Sequence, residues 1–163
     1  MKDTIAICPG SFDPITIGHL DIISRSAKMF SKVIVVVMIN AHKSNGSFTV
    51  EERFEMFKKS VADIPNVEVD YFDGLLADYA AKKNAKAIIK GLRAVTDFEY
   101  EFQMALANKK LNPNVETLFL TTSAENMYLS SSIVKQIASM GGDVADFVPP
   151  AIHNDILNRL KKG

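Results

Sequence analysis

Apolar residues are arranged along the chain in two kinds of segment that alternate. Short runs rich in Ile and Val, at 4–8 and 32–39, have the composition of strands that are buried on both faces. Weaker strand candidates lie at 67–72, 87–89 and 117–121. Because these strands alternate with helix-like segments, the pattern predicts a parallel sheet that is covered by helices.

Between the strands, apolar residues recur at spacings of three and four, as they do on one face of an α-helix. The segments 20–30 and 50–61 show this spacing, and Thr49 with Glu52 forms a capping box before the second of them. Further helix candidates are 75–83, 98–108, 131–140 and a terminal helix that begins after Pro149-Pro150.

This order of elements predicts an α/β fold with a doubly wound, five-stranded parallel sheet of the Rossmann-like type. We expect residues 1–163 to form a single domain, with the C-terminal helix from about 150 packed onto it. In such folds ligands bind beyond the carboxyl ends of the strands, where the strand order reverses. Polar residues that directly follow the strands are therefore the site candidates.

Composition and charge limit the partners of the protein. Of 163 residues, 47% are apolar, and 19 Lys and Arg balance 19 Asp and Glu. A neutral chain has no global field that would attract nucleic acid or an anionic membrane, so we expect neither as a partner. Any phosphate must instead be bound by a few placed cations and backbone N–H groups.

Cysteine content and the apolar runs indicate the compartment. The single cysteine, Cys8, cannot form an internal disulfide. The longest apolar run, 33–39, is too short to cross a bilayer, and the first residues lack the pattern of a signal peptide. We therefore expect a cytoplasmic protein.

The first strand leads into Pro9-Gly10-Ser11-Phe12-Asp13-Pro14 and then Thr16-Ile17-Gly18-His19 at the start of a helix. Ser11 offers a hydroxyl and an N–H, and His19 places an imidazole at a helix N-terminus, where anions are favoured. The string matches neither the G-x-G-x-x-G dinucleotide fingerprint nor a Walker loop. A lone histidine is usually only a hydrogen-bonded side chain, so the surrounding string carries the functional interpretation.

Cations follow the second and fourth strands. Lys43 lies on the loop after the second strand and has the flexible stem that suits a mobile anion. After the fourth strand comes Lys90-Gly91-Leu92-Arg93, in which Gly91 permits close backbone approach and Arg93 offers a planar fork for phosphate. Alone, Lys43 would be interpreted as a solvated lysine on a loop.

A serine run follows the fifth strand. Leu129-Ser130-Ser131-Ser132 opens a helix and presents hydroxyl and N–H groups that can bind an anion. Taken alone, such a run is better explained as ordinary N-capping.

Together the motifs resemble those of a known family. Pro-Gly-Ser-Phe-Asp-Pro-x-Thr-x-Gly-His resembles the signature of the nucleotidylyltransferase superfamily. Lys-Gly-Leu-Arg with the later Asp-Phe-Glu-Tyr-Glu, and Leu-Ser-Ser-Ser-x-Val-Lys, resemble motifs of its bacterial phosphopantetheine adenylyltransferases. The chain departs from that family at Lys90, where the family has arginine, and around Asn126-Met127-Tyr128. Lys90 keeps the charge but lacks the fork, so its phosphate contact is expected to have a different geometry.

The resemblance implies transfer of the adenylyl group of ATP to 4′-phosphopantetheine, which gives dephospho-coenzyme A and pyrophosphate in coenzyme A biosynthesis. It implies catalytic roles for His19, Lys43 and Arg93. It implies that phosphopantetheine contacts Ser11, Lys43, Leu76 and Lys90. It implies that ATP contacts Ser11, Phe12, His19, Gly91, Leu92, Arg93, Glu101, Asn126, Met127, Tyr128, Leu129, Ser130, Ser131 and Ser132.

Further expectations concern cofactors and assembly. Mg²⁺ is expected on the ATP phosphates, but no carboxylate cluster in the sequence marks a dedicated metal site. The resemblance also implies a homohexamer and regulation by coenzyme A occupying the site. Glu101 takes its role, contact with the ribose, from the resemblance alone. Leu76 has a core position as its alternative, and Asp13 is interpreted as a turn-forming side chain before Pro14.

Three alternatives stay open at this point. Another small nucleotidylyltransferase, with nicotinate mononucleotide or glycerol phosphate as acceptor, would share the first motif and the serine run. A non-catalytic nucleotide-binding domain could keep the ATP contacts without turnover. A generic flavodoxin-like domain would explain the strands and helices, but it would not explain several ligand-type loops at one edge of the sheet.

Overall fold

Five parallel strands form the central sheet in the computed structural model, which describes residues 3–39 and 46–160, without the side chains of Val95 and Thr96. The strands are β1 (Ile5–Gly10), β2 (Lys32–Ile39), β3 (Val67–Asp73), β4 (Ala87–Leu92) and β5 (Glu116–Thr121). Their order is β3-β2-β1-β4-β5, and every neighbouring pair is parallel. The predicted doubly wound fold is confirmed.

In the described part of the chain, six helices connect and cover the strands. They are α1 (Ile17–Met29), α2 (Val50–Ser60), α3 (Leu76–Lys82), α4 (Val95–Leu111), α5 (Ser131–Ser139) and α6 (His153–Leu160). Short 3-10 turns lie at Ala124–Asn126 and Pro150–Ile152. Within the described ranges, no helix is both long and apolar enough to span a membrane.

Helix α4 and strand β4 are among the elements that extend beyond their predicted bounds. Helix α4 begins at Val95 rather than 98, and its N-cap, Ala94, makes no side-chain capping bond that a sequence could signal. Strand β4 runs on to Leu92 rather than 89, because Lys90 and Gly91 still pair with Phe119 and Leu120 of β5. The motif after the fourth strand therefore belongs partly to the sheet itself.

Side chains on the central strands alternate between two cores, which explains why the strand segments are apolar throughout. Ala6 and Cys8 of β1 face the larger core, which also receives buried side chains from α1, α2, α5 and α6. Ile7 faces a smaller core that is closed by Tyr79 and Ala80 of α3. Ile156 of α6 is fully buried in the larger core.

Strands β1 and β4 separate towards their carboxyl ends. Their pairing consists of Ala6 with Ala87 and Ile7 with Ile88, whereas β1 stays paired with β2 as far as Gly10. Strand β4 likewise stays paired with β5 as far as Leu92. The strand order reverses between β1 and β4, so the sheet opens where a doubly wound fold binds its ligand.

Candidate active site

A cavity of about 450 Å³ lies above this opening of the sheet. Most of the predicted site residues line it: Ser11, Phe12, His19, Lys90, Gly91, Arg93, Glu101, Asn126, Leu129, Ser130 and Ser131. Gly91 allows α1 to lie close to β4, since a Cβ at this position would be 3.0 Å from Cγ1 of Ile22. The strand ends, α1, α4 and α5 thus share one site.

Other predicted residues lie elsewhere or outside the description. Leu92, Met127, Tyr128 and Ser132 are not in the cavity lining, and Tyr128 packs edge-on against Phe147. Leu76 packs against the smaller core, in agreement with its alternative as a core residue. Lys43 lies outside the described residues.

His19 is held by a hydrogen bond to its own helix terminus. The backbone N–H of Thr16 donates to Nδ1 of His19 at 3.0 Å, and the Thr16 hydroxyl accepts from the His19 backbone N–H at 3.3 Å. This is a capping box in which histidine takes the place usually held by Glu or Gln. Because Nδ1 accepts a hydrogen bond, the proton of the neutral ring must be on Nε2.

The charge state of His19 follows from its surroundings. Burial of the ring, with the positive charges of Arg93 and Lys90, lowers the pKa of His19 from 6.5 to about 4. The edge of the ring packs against Phe12, with 5.1 Å between the ring centroids. At neutral pH, His19 is therefore an uncharged imidazole that can donate a hydrogen bond from Nε2.

We expect His19 to remain neutral, as the Nε2–H tautomer, down to about pH 5. A ¹⁵N-edited NMR titration of the imidazole nitrogens measures this, with His153 as an internal comparison. The unfolded chain takes up a proton near pH 6.5 but the folded one only near pH 4. The contribution of His19 to stability is therefore complete above about pH 6.5 and is lost as pH falls towards 4. A titration midpoint near 6.5, or a proton on Nδ1, would contradict this prediction.

Two cations in the cavity wall are paired with carboxylates of α4. Nζ of Lys90 lies 3.4 Å from Oε2 of Glu101, and Nε of Arg93 lies 3.3 Å from Oδ2 of Asp97. Arg93 also donates from Nη1 to the carbonyl oxygen of Leu129 at 3.1 Å. Arg93 thereby ties the end of β4 to the segment that precedes α5.

Asp13 has a larger role than the predicted turn before Pro14. Its carboxylate accepts hydrogen bonds from the backbone N–H groups of Ser47 and Phe48, both at 2.9 Å, and Nζ of Lys135 lies 3.1 Å from it. Asp13 is buried. One side chain therefore joins the first motif to the segment before α2 and to α5.

Ser130 and Ser131 make different hydrogen bonds. Oγ of Ser130 accepts from the backbone N–H of Ile133 at 3.2 Å, so Ser130 is the N-cap of α5. Oγ of Ser131 donates to the carbonyl oxygen of Pro14 at 2.7 Å, which fixes α5 to the first motif. N-capping thus accounts for the Ser130 side chain, while both serines line the cavity at a helix N-terminus, a favourable place for an anion.

Sequence reasoning missed several residues that line the cavity. Thr16 belongs to the first motif, but the sequence does not signal its contact with His19, because histidine is an unusual partner in a capping box. Asp97 precedes Glu101 by four residues, a spacing that places both on one helix face and could have been noticed. Tyr100 also lines the cavity and stands in the Asp-Phe-Glu-Tyr-Glu run, whereas Thr122 lines the cavity without a sequence signal.

The arrangement suits the binding of anions better than acid–base chemistry. A histidine with a pKa near 4 is a weak base at neutral pH. Burial raises the pKa of the Cys8 thiol to about 12, so this cavity residue is a poor nucleophile. In the part of the chain that the structure describes, no three His, Cys, Asp or Glu side chains are grouped to hold a metal ion. The cavity instead offers hydrogen-bond donors and two cations, each of which is paired with a carboxylate.

Known proteins resemble this chain in sequence and in fold. A family model described as cytidylyltransferase-like matches residues 7–137. The structure resembles a putative nicotinate-nucleotide adenylyltransferase from Vibrio parahaemolyticus, with a TM-score of 0.69 and 16% identity over 97% of this chain and 96% of that one. At such identity the likeness concerns the fold alone.

Two curated relatives are much more similar in sequence. A phosphopantetheine adenylyltransferase of Caldanaerobacter subterraneus subsp. tengcongensis is 60% identical over 97% of this chain and 98% of its own length. Another, from Heliobacterium modesticaldum, is 56% identical over 91% of this chain and 88% of its own length. The chain belongs to the phosphopantetheine adenylyltransferase family, within the cytidylyltransferase-like proteins.

Proposed function

We propose that this protein transfers the adenylyl group of ATP to 4′-phosphopantetheine, forming dephospho-coenzyme A and pyrophosphate. The observation that carries the proposal is the cavity itself, where a neutral imidazole lies among two cations and a helix N-terminus, at the motifs of the family. An oxygen of the 4′-phosphate forms a bond to the α-phosphorus of ATP. The bond between that phosphorus and the oxygen that bridges the α- and β-phosphates breaks, and pyrophosphate leaves with the electron pair of this bond.

This reaction needs no general base. The second pKa of a phosphate monoester is about 6, so the attacking phosphate is already mostly ionised near neutrality. The tasks of the protein are to bring two polyanions together and to stabilise the charge that develops on pyrophosphate. A cavity of donors and cations suits these tasks.

The proposed roles divide the cavity between two substrates. Nε2–H of His19 donates to the ATP phosphates and stabilises the transition state, and Arg93 and the start of α5 bind the same phosphates. Lys90 and Ser11, with Lys43, hold the phosphate of phosphopantetheine. Leu76 is proposed to lie along the pantetheine arm.

Mg²⁺ is proposed to arrive with ATP, as its phosphate complex. The carboxylates of the cavity, Asp97 and Glu101, are already paired with cations, so phosphate oxygens and water would be its main ligands. When bound, Mg²⁺ would neutralise charge on the triphosphate. We further propose a cytoplasmic location, and that coenzyme A, which shares the pantetheine arm, occupies and regulates the site.

We also propose a homohexamer, and exposed apolar side chains on α4 support an interface between copies. Phe98, Phe102 and Leu106 recur at spacings of four and are all exposed, and the first two rings stack at 5.4 Å. An exposed apolar row of this kind is normally covered by another protein surface.

Light scattering tests this assembly. We expect a mass of about six chains, and a much smaller species when Leu106→Glu places a charge in the row. Met140→Glu, at an exposed position after α5, is the matched control that should leave the mass unchanged. A monomeric wild-type protein would overturn the proposal.

Pyrophosphate release tests the proposed function. The purified protein is incubated with ATP and Mg²⁺, alone and with 4′-phosphopantetheine, nicotinate mononucleotide or glycerol phosphate. We expect release that depends on 4′-phosphopantetheine. Release with another acceptor instead would reassign the substrate, and ATP binding without release under any condition would favour a non-catalytic nucleotide-binding domain.

A further inference from the structure

The carboxylate of Glu101 forms an ion pair with Lys90, the cation that is proposed to bind phosphopantetheine. Its Oε2 lies 3.4 Å from Nζ of Lys90, and the Lys90 and Glu101 side chains are 26% and 21% exposed. Lys90 stands in β4 and Glu101 in α4, so the pair joins two elements in the cavity wall. The resemblance assigns Glu101 to ATP, whereas its ionic contact in the structure is with the cation proposed for phosphopantetheine.

The second carboxylate of α4 repeats this arrangement. Asp97 lies one helical turn before Glu101 and pairs with Arg93 at 3.3 Å. One face of α4 therefore supplies one carboxylate for each cation of the 90–93 segment. Because His19 is neutral near pH 7, these two pairs are the charged residues among the described cavity lining.

A carboxylate partner can fix the position of the Lys90 ammonium group. An ammonium group sits on a flexible stem and lacks the planar fork with which arginine fixes its own approach to a phosphate. Lys90 has three N–H donors, so a contact with Glu101 leaves others for an anion. Glu101 itself repels a phosphate, since both are negative.

We propose that Glu101 is a positioning residue, which holds the Lys90 ammonium where the 4′-phosphate of phosphopantetheine binds. This inference rests on the proposed function. It follows that a change at Glu101 acts on the acceptor rather than on ATP, and that it acts through Lys90.

A double-mutant cycle tests the inference, with Glu101→Gln, Lys90→Met and the double variant. KM is measured separately for 4′-phosphopantetheine and for ATP. We expect Glu101→Gln alone to raise the KM for phosphopantetheine about fivefold and to change the KM for ATP less than about twofold. In the Lys90→Met background, Glu101→Gln should add less than about twofold.

Two further variants sharpen the cycle. In the Lys90→Arg background the effect of Glu101→Gln should shrink, because the guanidinium carries its own fixed geometry. Asp155→Asn is the matched control, since Asp155 forms an ion pair with Lys59 at 3.0 Å outside the cavity. That control should change neither KM, and a circular-dichroism melt checks that each variant folds.

Several results would overturn the inference. A rise in the KM for ATP that is equal in both Lys90 backgrounds would mean that Glu101 contacts ATP. A fall in the KM for phosphopantetheine would mean that Glu101 competes with the substrate for Lys90.

Calorimetric binding of 4′-phosphopantetheine alone separates this inference from the proposed function. If the effects of the Lys90 and Glu101 substitutions on the Kd for phosphopantetheine are non-additive, and the protein shows no turnover, the inference holds and the proposed function is wrong. Absence of phosphopantetheine binding to the wild-type protein would defeat both.

Discussion

His19→Ala is expected to lower kcat about 10²- to 10³-fold, with a much smaller change in the KM for ATP. The reason is that Nε2–H, fixed by the Thr16 contact to Nδ1, donates to charge that grows during pyrophosphate departure. Steady-state pyrophosphate release with both substrates measures the effect.

Two variants control this experiment. His19→Gln places an amide N–H near the position of Nε2, so we expect it to recover part of the lost kcat. His153→Ala removes a histidine that contacts Asp143 at the surface, at 3.3 Å, and should leave kcat unchanged. A loss of less than about fivefold in His19→Ala would show that the imidazole does not stabilise the transition state.

Asp13→Ala is expected to reduce the free energy of unfolding by about 3 kcal/mol or more. The substitution leaves the buried N–H of Phe48 and the N–H of Ser47 without their acceptor, and it leaves Lys135 without its partner. Denaturant unfolding at a fixed protein concentration measures the loss, since any assembly makes stability concentration-dependent.

Asp155→Ala provides the comparison for this variant. Asp155 also pairs with a lysine, Lys59 at 3.0 Å, but both side chains are largely exposed. Exposed pairs contribute about 0–1 kcal/mol, so this variant should unfold almost as the wild-type protein does. Equal losses from the two substitutions would mean that Asp13 is only a turn residue.

The strands and the site position could be predicted because each depends on local sequence. The predicted bounds of β2 agree with the structure to the residue. The strand is buried on both faces, so its apolar run extends over nearly its whole length. The cavity lining follows from motifs that stand directly after strands, a position that the doubly wound topology turns into one edge of the sheet.

What could not be predicted depends on contacts between distant segments. The pairing of Lys90 with Glu101 requires the helix α4 to start at Val95 and to lie across β4, and Ala94 gives no capping signal for that start. The three partners of Asp13 come from residues far along the chain. Such contacts are set by packing, which no local pattern records.

Strands β1 and β4 diverge after Ile7 and Ile88, and this divergence forms the cavity. The side chains that line the cavity can therefore change without loss of the cavity itself. The opening is made by main-chain geometry, so no lining side chain has to hold it open. Replacement of Lys90 or Arg93 should therefore alter recognition without collapse of the fold. A scaffold of this kind tolerates stepwise change in what it binds, which makes its acceptor preference open to laboratory evolution.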